Sequence, residues 1–555
     1  MADLTVPGAG GAETISAAGD PALIVQAQNA LQNAPAATTV SNSLPTVSTP
    51  TTIIFTATPV GAIVPDENTR NIVLTQGGGT IDAGDLGNVN LALLGGGNSN
   101  VTVNTGSSTI IASAGNNQIS TAYDGAPTQV QTGAGDDSIR LNSSGGQASV
   151  GGGNNSVVAI GANTLVAGDG NNAIWAVQDG QVSVGDGNNS VALVNGAGTL
   201  AAGNGANQIL AKDVNASIAA GNGNNQVFVT NGSNVSVAAG NGNNEIILQG
   251  SGVVSVGSGD NVVVANGGNA SITAGSGQNW LAAESNNNTI SAAGGTVVAS
   301  GSNNDIVASG NGVVVVSSGA NSITLEGSNG WIAAGTGNTV QGGAGSGNTV
   351  DGTGTFTFIG GSGSDIVLGN AASVTITGGT GGGYYVGGTA GSNSITAGDG
   401  LTTMTSGGTG DTLIAAGSGA DFLTASTGNV TLLGGLSTGG NYYDLSGGDA
   451  TASVSGGTGD EFFLAGRGNA TMTGGDGDDF FLFGGTSTGG NTITITDFAL
   501  GSDRLSLAGY TGAGTDVDGV IGNTTSAGGT ELTLSDGTKI VMTNITTAGD
   551  VSRFL

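Results

Sequence analysis

Carboxylate side chains recur at one position of a glycine-rich pattern in the C-terminal third of the sequence. Asp365, Asp421, Glu461 and Asp479 occupy this position, and Glu461 precedes Asp479 by 18 residues. Clustered hard oxygen ligands suit Ca²⁺, whereas the alternative is a set of ordinary, solvated turn carboxylates. We predict calcium sites here and a further one near Asp137. The predicted metal ligands are Asp137, Asp365, Asp421, Asp460, Glu461, Asp476, Asp478 and Asp479.

The other side-chain types argue against catalysis. Histidine and cysteine are both absent, which excludes imidazole and thiolate metal sites, disulfides and Cys/His nucleophilic catalysis. Lys212 and Arg140 stand alone in regular sequence, and no long insertion interrupts the pattern to form a cleft. Catalytic carboxylates usually need Arg, Lys or His nearby for proton transfer. We therefore predict that the chain is not an enzyme.

The carboxylates belong to a repeat that fills most of the chain. Two glycines separated by one residue recur every 17 to 19 residues, and an interval of this size indicates a repeat architecture. Four residues after the first glycine comes Asp or Asn, and an apolar residue follows two positions later. After Asp137 the residues at the polar position are Asn155, Asn172, Asn189, Asn207, Asn225, Asn244, Asn261 and Asn279.

This repeat predicts an all-β fold, a long β-solenoid or β-roll with coils of about 18 residues. Paired glycines permit tight turns, and the β-branched run after each turn favours a strand. The Asn and the apolar residue two positions later share one face of the strand, which points inward. Stacked amides roughly 4.8 Å apart then form a hydrogen-bonded Asn ladder. Before the repeat, Asp20 and Pro21 indicate the start of one short helix.

Two segments match a known repeat. Residues 360–368 read Gly-Gly-Ser-Gly-Ser-Asp-Ile-Val-Leu, and residues 474–482 read Gly-Gly-Asp-Gly-Asp-Asp-Phe-Phe-Leu. They resemble the nonapeptide G-G-x-G-x-D-x-U-x of the RTX family of haemolysin-type calcium-binding proteins. The resemblance implies Ca²⁺ in the turns, export by type I secretion, and similarity to bacterial S-layer proteins. From Asn155 to Asn279 the sequence departs from this pattern, because Asn replaces the metal-binding Asp.

Aromatic residues appear at an outward position in the C-terminal third. The position just before the inward apolar residue holds Ser, Ala or Gln in the Asn-rich coils and an aromatic residue later. An exposed apolar column usually marks a contact surface, although the C-terminal segment folding back over it is an equally good interpretation. The predicted contact stripe is Tyr384, Phe422, Tyr442, Phe462 and Phe480.

These patterns divide the chain into four predicted segments. Residues 1–75 form an N-terminal cap or attachment segment, and residues 76–359 form the Asn-ladder solenoid. Residues 360–490 form an RTX-like calcium-binding β-roll. Residues 491–555 form a C-terminal β cap and contain the type I secretion signal, which the resemblance places at the C-terminus.

Charge and hydropathy limit the partners. The formal net charge is −31, with only seven basic residues, which excludes an electrostatic nucleic-acid footprint. No stretch approaches 18 consecutive apolar residues, so no transmembrane insertion is expected. The first residues contain neither a basic region nor an apolar one, so no Sec signal is expected.

Together these features predict a secreted, self-assembling structural protein at the bacterial cell surface or in the extracellular matrix. It would form an S-layer-like sheet or fibre whose folding and assembly Ca²⁺ promotes. The expected partners are further copies of the chain, the type I secretion machinery and surface polysaccharide. The alternative is an RTX-type adhesin or polysaccharide-binding rod. Trp175, Trp280 and Trp331 fit either carbohydrate stacking or incidental surface packing.

Overall fold

The computed structural model confirms the predicted fold class, an all-β solenoid with coils of about 18 residues and one short helix. The structure describes residues 2–8, 11–17, 19–84, 86, 88–121, 126–310, 312–316, 319–484, 490–510, 520–526 and 529–546. Two compact units make up the chain, Met1–Gly277 and Gln278–Leu555. Among the described residues, no helix has the length and apolar character needed to cross a membrane.

The described part of the first unit consists of one helix and strands β1 to β24. The helix α1 spans Pro21–Ala30. The strands are β1 (Ala2–Gly8), β2 (Gly11–Ala17), β3 (Ala37–Val40), β4 (Thr51–Phe55), β5 (Ala62–Ile63), β6 (Thr69–Leu74), β7 (Thr80–Asp82), β8 (Asn90–Leu93), β9 (Asn100–Val103), β10 (Thr109–Ala112), β11 (Gln118–Thr121), β12 (Gln129–Thr132), β13 (Ser138–Leu141), β14 (Gln147–Val150), β15 (Ser156–Ile160), β16 (Asn163–Ala167), β17 (Ala173–Val177), β18 (Gly180–Val184), β19 (Ser190–Ala202), β20 (Gln208–Ala220), β21 (Gln226–Ala239), β22 (Glu245–Val256), β23 (Val262–Ala265) and β24 (Ala270–Ala274).

The described part of the second unit consists of strands β25 to β52. They are β25 (Trp280–Ala283), β26 (Thr289–Ala292), β27 (Gly295–Ala299), β28 (Asp305–Ala308), β29 (Gly312–Val316), β30 (Ser322–Leu325), β31 (Trp331–Ala334), β32 (Thr339–Gly342), β33 (Thr349–Gly352), β34 (Phe356–Ile359), β35 (Asp365–Leu368), β36 (Val374–Thr377), β37 (Gly383–Val386), β38 (Ser394–Thr396), β39 (Thr402–Thr405), β40 (Asp411–Gly417), β41 (Phe422–Thr424), β42 (Asn429–Ser437), β43 (Tyr442–Asp444), β44 (Thr451–Ser455), β45 (Phe462–Leu464), β46 (Ala470–Thr473), β47 (Phe480–Gly484), β48 (Thr492–Ile495), β49 (Arg504–Ala508), β50 (Val520–Ser526), β51 (Gly529–Leu534) and β52 (Lys539–Met542).

Within each unit the coils stack in parallel and in register. Val157 of β15 pairs with Ile174 of β17, which pairs with Val191 of β19. A coil contains two strands, and β19 to β22 are long because both strands of their coils join. The inward apolar positions are buried and form columns of like residues. The stacking reaches β3 and β4, so it extends further towards the N-terminus than the predicted boundary at residue 75.

The glycine pairs are required because the backbones of adjacent coils touch at the turns. A Cβ atom at Gly151 would lie 2.3 Å from the carbonyl oxygen of Gly133. A Cβ atom at Gly153 would lie 2.2 Å from the carbonyl oxygen of Gly135, and Gly153 also has a φ of +131°. Any side chain at these positions would force neighbouring coils apart.

The N-terminal elements cover one outward column of the first coils. The helix α1 begins as predicted, since the Asp20 carboxylate accepts a hydrogen bond from the Ala22 N–H at 2.8 Å. Together with the β1–β2 hairpin it buries four aligned outward residues of β4, β6, β8 and β10. We call these residues the covered column: Ile54, Val73, Ala92 and Ile111. In the next coil Gln131 takes this position, so the column becomes polar where its cover ends.

The described C-terminal strands form a small antiparallel meander on the second unit. Strand β52 pairs in parallel with β48, and β51 and β50 follow in antiparallel order. Lys539 and Glu531 form a salt bridge of 3.0 Å across β52 and β51. The predicted export signal at the extreme C-terminus, residues 550–555, lies outside the described residues.

Candidate functional site

The Asn residues of the first unit form a continuous buried ladder. The Nδ2 of Asn155 donates to the Oδ1 of Asn172 at 3.0 Å, and the backbone N–H of Asn155 donates to the same oxygen at 3.2 Å. Its Nδ2 also donates to the carbonyl oxygens of Gly151 and Gly153, at 3.0 and 3.1 Å. The pattern continues through Asn189, Asn207, Asn225, Asn244 and Asn261, with amide–amide distances from 2.8 to 3.1 Å. Each amide thus fastens its own turn and joins it to the next coil.

The second unit has its own Asn ladder. Asn279 is buried there and its Nδ2 donates to the Gly294 carbonyl oxygen at 3.2 Å. Asn288, Asn304 and Asn321 follow one another with amide–amide hydrogen bonds of 3.0 Å. A further bond of 3.0 Å joins Asn321 to Asn338. These amides join adjacent coils of the second unit by hydrogen bonds, as the Asn ladder does in the first unit.

Two exposed ladders accompany the buried one, and the sequence analysis missed them. In one, the Asp186 and Asn204 backbone N–H groups donate to the carboxylates of Asp169 and Asp186, at 2.8 and 2.7 Å. In the other, the Asn171 N–H donates to the Asn154 side-chain oxygen at 2.9 Å. The sequence feature that could have predicted these exposed ladders is the recurrence of Asn and Asp at the first and third positions after the turn glycine. Hydrogen bonding in these ladders is sufficient to account for the exposed carboxylates of the turns, without a bound metal ion.

Carboxyl groups replace the amide in several coils, and at Asp137 and Asp365 one carboxyl oxygen lacks a partner. The Oδ1 of Asp137 accepts from the N–H and the Nδ2 of Asn117, at 2.8 and 2.9 Å. The Oδ1 of Asp365 accepts from the Nδ2 of Asn348 at 3.0 Å. Their Oδ2 atoms are buried without a hydrogen-bond partner. By position, each Oδ2 takes the place where an Asn Nδ2 donates to glycine carbonyls. Burial raises the pKa of both carboxyl groups.

Asp421 and Asp411 show that similar carboxyl groups differ in their surroundings. The Oδ1 of Asp421 accepts from the Thr402 N–H at 2.9 Å, its Oδ2 has no partner, and burial raises its pKa to about 6. Asp411 is equally buried, but its Oδ2 accepts from the N–H groups of Gly407 and Gly408, at 2.8 and 2.9 Å. Asp411 was not predicted, and its hydrogen bonds account for it fully.

The densest carboxyl column lies near the end of the repeat. The Glu461 N–H donates to the Asp479 Oδ1 at 2.9 Å, and the Asp479 N–H donates to the Asp503 Oδ1 at 3.1 Å. Both Glu461 Oε2 and Asp479 Oδ2 are buried and unpartnered. Burial, and then the neighbouring Asp479 carboxyl group, raise the pKa of Glu461, while burial raises the pKa of Asp479. Asp503, which the prediction omitted, completes the column.

The remaining predicted ligands lie outside this column. Asp460, Asp476 and Asp478 are exposed on the turns. The Asp478 N–H donates to the Asp460 Oδ1 at 2.9 Å, which is the exposed-ladder arrangement. In the described part of the chain, no group of three or more acidic side chains converges in a metal-binding geometry. The structure therefore separates the eight predicted residues into five buried and three exposed ones.

The buried carboxyl groups nevertheless fit a hard cation. Each presents a buried oxygen without a hydrogen-bond partner. For the Asp residues this oxygen takes the position that faces glycine carbonyl oxygens in the Asn coils, whereas the other oxygen of Glu461 accepts from the Gly457 N–H at 3.1 Å. Ca²⁺ takes carboxylate and backbone carbonyl ligands together, so a site needs only one or two acidic residues. Glu461 and Asp479, with two such oxygens on adjacent coils, are the best-fitting pair.

The predicted aromatic stripe forms a ring stack on the outward face of the second unit. Phe422, Tyr442, Phe462 and Phe480 occupy successive coils, with ring centroids 5.3, 4.7 and 5.2 Å apart. We call these four residues the aromatic column. Tyr384 stands on the same line but is separated from Phe422 by Thr403. The described strand β49 pairs with β47, which carries Phe480, and places Arg504 next to Phe480 in the column, while β52 pairs with β48.

A second ring stack fills the interior of the same coils. Tyr443, Phe463 and Phe481 are buried, and their rings stack at 4.9 and 4.7 Å. The sequence analysis did not identify this inner stack. The signal was present, since aromatic residues occur in adjacent pairs such as Phe462–Phe463, one facing outward and one inward.

The geometry thus defines a β-solenoid with buried amide and carboxyl columns and an outward aromatic column. No family model matches this chain, and no curated protein matches it. These columns and the surfaces they create are the features of the chain that bear on its function.

Proposed function

We propose that the chain is a secreted structural protein that self-assembles at the bacterial cell surface or in the extracellular matrix, as an S-layer-like sheet or a fibre. The observation that carries the proposal is the aromatic column. Of its four stacked rings, Phe422 is 43% exposed, and Tyr442, Phe462 and Phe480 are half-buried. Contiguous apolar surface of this kind marks a protein contact site.

The covered column supports this interpretation from within the same chain. There, four aligned outward apolar residues are buried by α1 and the β1–β2 hairpin, and the position turns polar in the next coil. This chain therefore keeps an outward column apolar where something covers it. The aromatic column follows the same rule, and we infer that another copy of the chain provides the cover.

Calcium enters the proposal through the buried carboxyl groups. Bound Ca²⁺ would supply positive charge and additional coordination, with Glu461, Asp479, Asp421, Asp365 and Asp137 as the residues that hold it. Unneutralised, these carboxylates disfavour the folded coils because buried charge without a partner is costly. The chain's own part is to present the unpartnered oxygens, and binding to the folded state then favours folding by linkage.

Export and location belong to the same proposal. A chain that folds poorly without Ca²⁺ suits passage through the type I secretion machinery, followed by folding outside the cell. This step rests on the resemblance of residues 360–368 and 474–482 to RTX repeats. The net charge of −31 also suits a surface where divalent cations screen repulsion between neighbouring copies.

Electron microscopy of the purified chain tests the proposal. We expect ordered sheets or fibres in millimolar Ca²⁺ that dissolve in chelator. Isolated particles under both conditions would contradict self-assembly.

A variant pair tests the aromatic column itself. Phe462→Ser removes a central ring and should abolish sheets and fibres while leaving circular dichroism unchanged. Ile359→Ser removes an exposed apolar side chain from a different column of the same unit and should leave assembly intact. Equal loss of assembly in both variants, or in neither, would remove the aromatic column from the proposal.

A polysaccharide-binding adhesin is the second candidate, and one observation favours it. Trp280 and Trp331 are both exposed and lie on one line of the second unit, three coils apart through Thr296 and Val313. Aligned exposed indoles can stack on sugar rings. Retention on surface polysaccharide that disappears in Trp280→Ser, with no assembly in Ca²⁺, would favour the adhesin.

A further inference from the structure

An outward groove in the first unit has the composition of a self-complementary contact face. It crosses six successive coils and has a volume of about 610 Å³. Its floor is an outward column in register from β15 to β22, which includes exposed Trp175, Leu210 and Phe228. We call the following set the Trp175 face: Arg140, Val158, Trp175, Ala192, Leu210, Phe228, Ile247 and, in the adjacent outward column, Glu245.

We propose that the Trp175 face binds the same face of a second copy of this chain, with the two solenoids antiparallel. This deepens the proposed function, on which it rests, by naming one contact surface. It places no demand on Ca²⁺, because the coils concerned contain the Asn ladder rather than carboxyl groups, Asp137 excepted.

The order of side-chain sizes along the column supports the antiparallel arrangement. Ala192 lies at its centre, between the large side chains of Trp175 and Leu210. A two-fold axis through Ala192 and along the strands sets Ala192 against its own copy. Trp175 then faces Leu210, and Val158 faces Phe228. The small central residue leaves room for the indole, as interdigitated sheet packing requires.

Charge complementarity supports the same arrangement. Arg140 stands at one end of the column and is aligned with Val158. Glu245 stands at the other end, where it accepts a hydrogen bond from the Gln226 Nε2 at 3.0 Å. An antiparallel second copy brings each Arg140 next to the Glu245 of its partner. A parallel arrangement would set like charges opposite each other and is disfavoured.

The covered column provides the reason to expect a cover here. That column is apolar for as long as α1 and the β1–β2 hairpin lie over it. Over the Trp175 face the described residues provide no such element, because Trp175 is 55% exposed. The flanking Gln208 and Gln226 give the face a polar rim around an apolar centre, which is the anatomy of a protein interface.

The size of the face sets the conditions of the test. Six coil spacings and three outward columns give a strip of roughly 29 by 13 Å, so two faces bury roughly 800 Å² in total. A contact of this size is weak on its own and gains strength in an array. The experiments therefore need protein at roughly 100 μM.

Site-specific crosslinking tests the geometry, and the absence of cysteine from the chain makes each introduced thiol unique. Ala192→Cys should form a covalent dimer with a short bis-maleimide, because two copies of residue 192 meet at the axis. Val158→Cys should not, because its copies lie four coils apart, roughly 19 Å. Val166→Cys, exposed on another face, is the matched control. Crosslinking of Ala192→Cys no greater than that of Val166→Cys, or equal to that of Val158→Cys, would overturn the proposal.

Charge reversal provides the second test, measured by sedimentation velocity in chelator. Arg140→Glu should weaken dimerisation about tenfold, and Arg140→Glu combined with Glu245→Arg should restore it. Lys212→Glu makes the same change in net charge but faces Val177 in this arrangement, so it should have no effect. Failure of the double variant to recover overturns the pairing.

These tests distinguish failure of the Trp175-face proposal from failure of the proposed function. Arrays in Ca²⁺ without Ala192→Cys crosslinking would refute only the Trp175 face. Crosslinked dimers without arrays would refute only the extended assembly. Retention on surface polysaccharide that Trp175→Ser abolishes, with dimerisation unchanged, would assign the face to a sugar and overturn the proposal.

Discussion

The residue at the ladder position, Asn or a carboxylic acid, determines whether the hydrogen bonds of a coil are complete within the protein. An Asn amide donates to two glycine carbonyls and to the next amide while it accepts from the preceding coil. Its hydrogen bonds are all made within the protein. A carboxylate at the same position can accept but not donate, so its second oxygen is left facing acceptors. Where the turn offers no backbone N–H group to that oxygen, unlike the turn at Asp411, one atom changes a self-sufficient coil into one that requires a cation or a proton.

Asn207→Ala tests the self-sufficient coil. The substitution removes the acceptor of the Asn189 amide and the donor to the Gly203 and Gly205 carbonyls. Loss of buried hydrogen bonds should lower the free energy of unfolding by about 2–3 kcal/mol, equally with Ca²⁺ and with chelator. Chemical denaturation measures the loss. Asn204→Ala, on an exposed ladder, is the control and should cost less than about 1 kcal/mol.

Asp365→Asn tests the coil with a carboxyl group, and the sign of its effect should depend on calcium. In chelator the new Nδ2 can donate where the Asp365 Oδ2 has no partner. The thermal midpoint of the second unit should then rise by about 2–4 °C. In excess Ca²⁺ the same change removes a ligand, so the midpoint should fall. Asp476→Asn, on an exposed turn, should change neither midpoint, and a rise under both conditions would argue against metal binding.

At the level of the elements, the repeat made most of the fold predictable. The glycine pairs, the inward apolar residues and the Asn positions follow one spacing, and that spacing sets which strands lie side by side. The coverage of the faces was not predictable in this way. The repeat period alone predicts neither the covered column nor the inner stack of Tyr443, Phe463 and Phe481. The period tells which face of the sheet a residue lies on, but not which other element packs against that face.

The candidate site was likewise predictable from the sequence only in part. Spacing places Glu461 and Asp479 on adjacent coils, as the structure has them. Spacing did not distinguish Asp421, whose Oδ2 is unpartnered, from Asp411, whose oxygens accept from backbone N–H groups of a differently shaped turn. Such differences depend on turn conformation, which the repeat pattern does not specify.

The carboxyl column of the second unit predicts a pH dependence in chelator. Burial raises the pKa of Asp421 from 3.8 to about 6, and it also raises the pKa values of Glu461 and Asp479. A carboxyl group whose pKa is higher in the folded state stabilises the fold when protonated. For Asp421 this contribution is complete below about pH 4 and is lost as pH rises through about 6.

We therefore expect the thermal midpoint of the second unit to fall as pH rises from 5 to 8 in chelator. Over this range the loss attributable to Asp421 is about 1.4 kcal/mol, or roughly 2 °C for a unit of this size. Saturating Ca²⁺ should flatten the profile, because the carboxyl groups are then neutralised at every pH. Calorimetry in both buffers measures this, and Asp421→Asn should reduce the slope. A midpoint that rises with pH in chelator would contradict the role given to the buried carboxyl groups.

For the whole molecule, two contact faces on one chain have a different consequence from one. A single self-complementary face produces closed dimers, whereas two such faces on each chain produce an open array. The aromatic column and the Trp175 face lie on different units, and only the aromatic column lies in the unit with the dense carboxyl column. Calcium should therefore control the contact through the aromatic column and have no effect on the contact through the Trp175 face.

This argument predicts the state of assembly of four proteins under matched conditions. In Ca²⁺ the unmodified chain should form arrays. Phe462→Ser and Trp175→Ser should each stop at dimers, because one face remains, and the double variant should be monomeric. In chelator the unmodified chain should form dimers through the Trp175 face. Sedimentation velocity at roughly 100 μM distinguishes these states. Arrays that survive either single substitution would show that the chain assembles through surfaces other than these two.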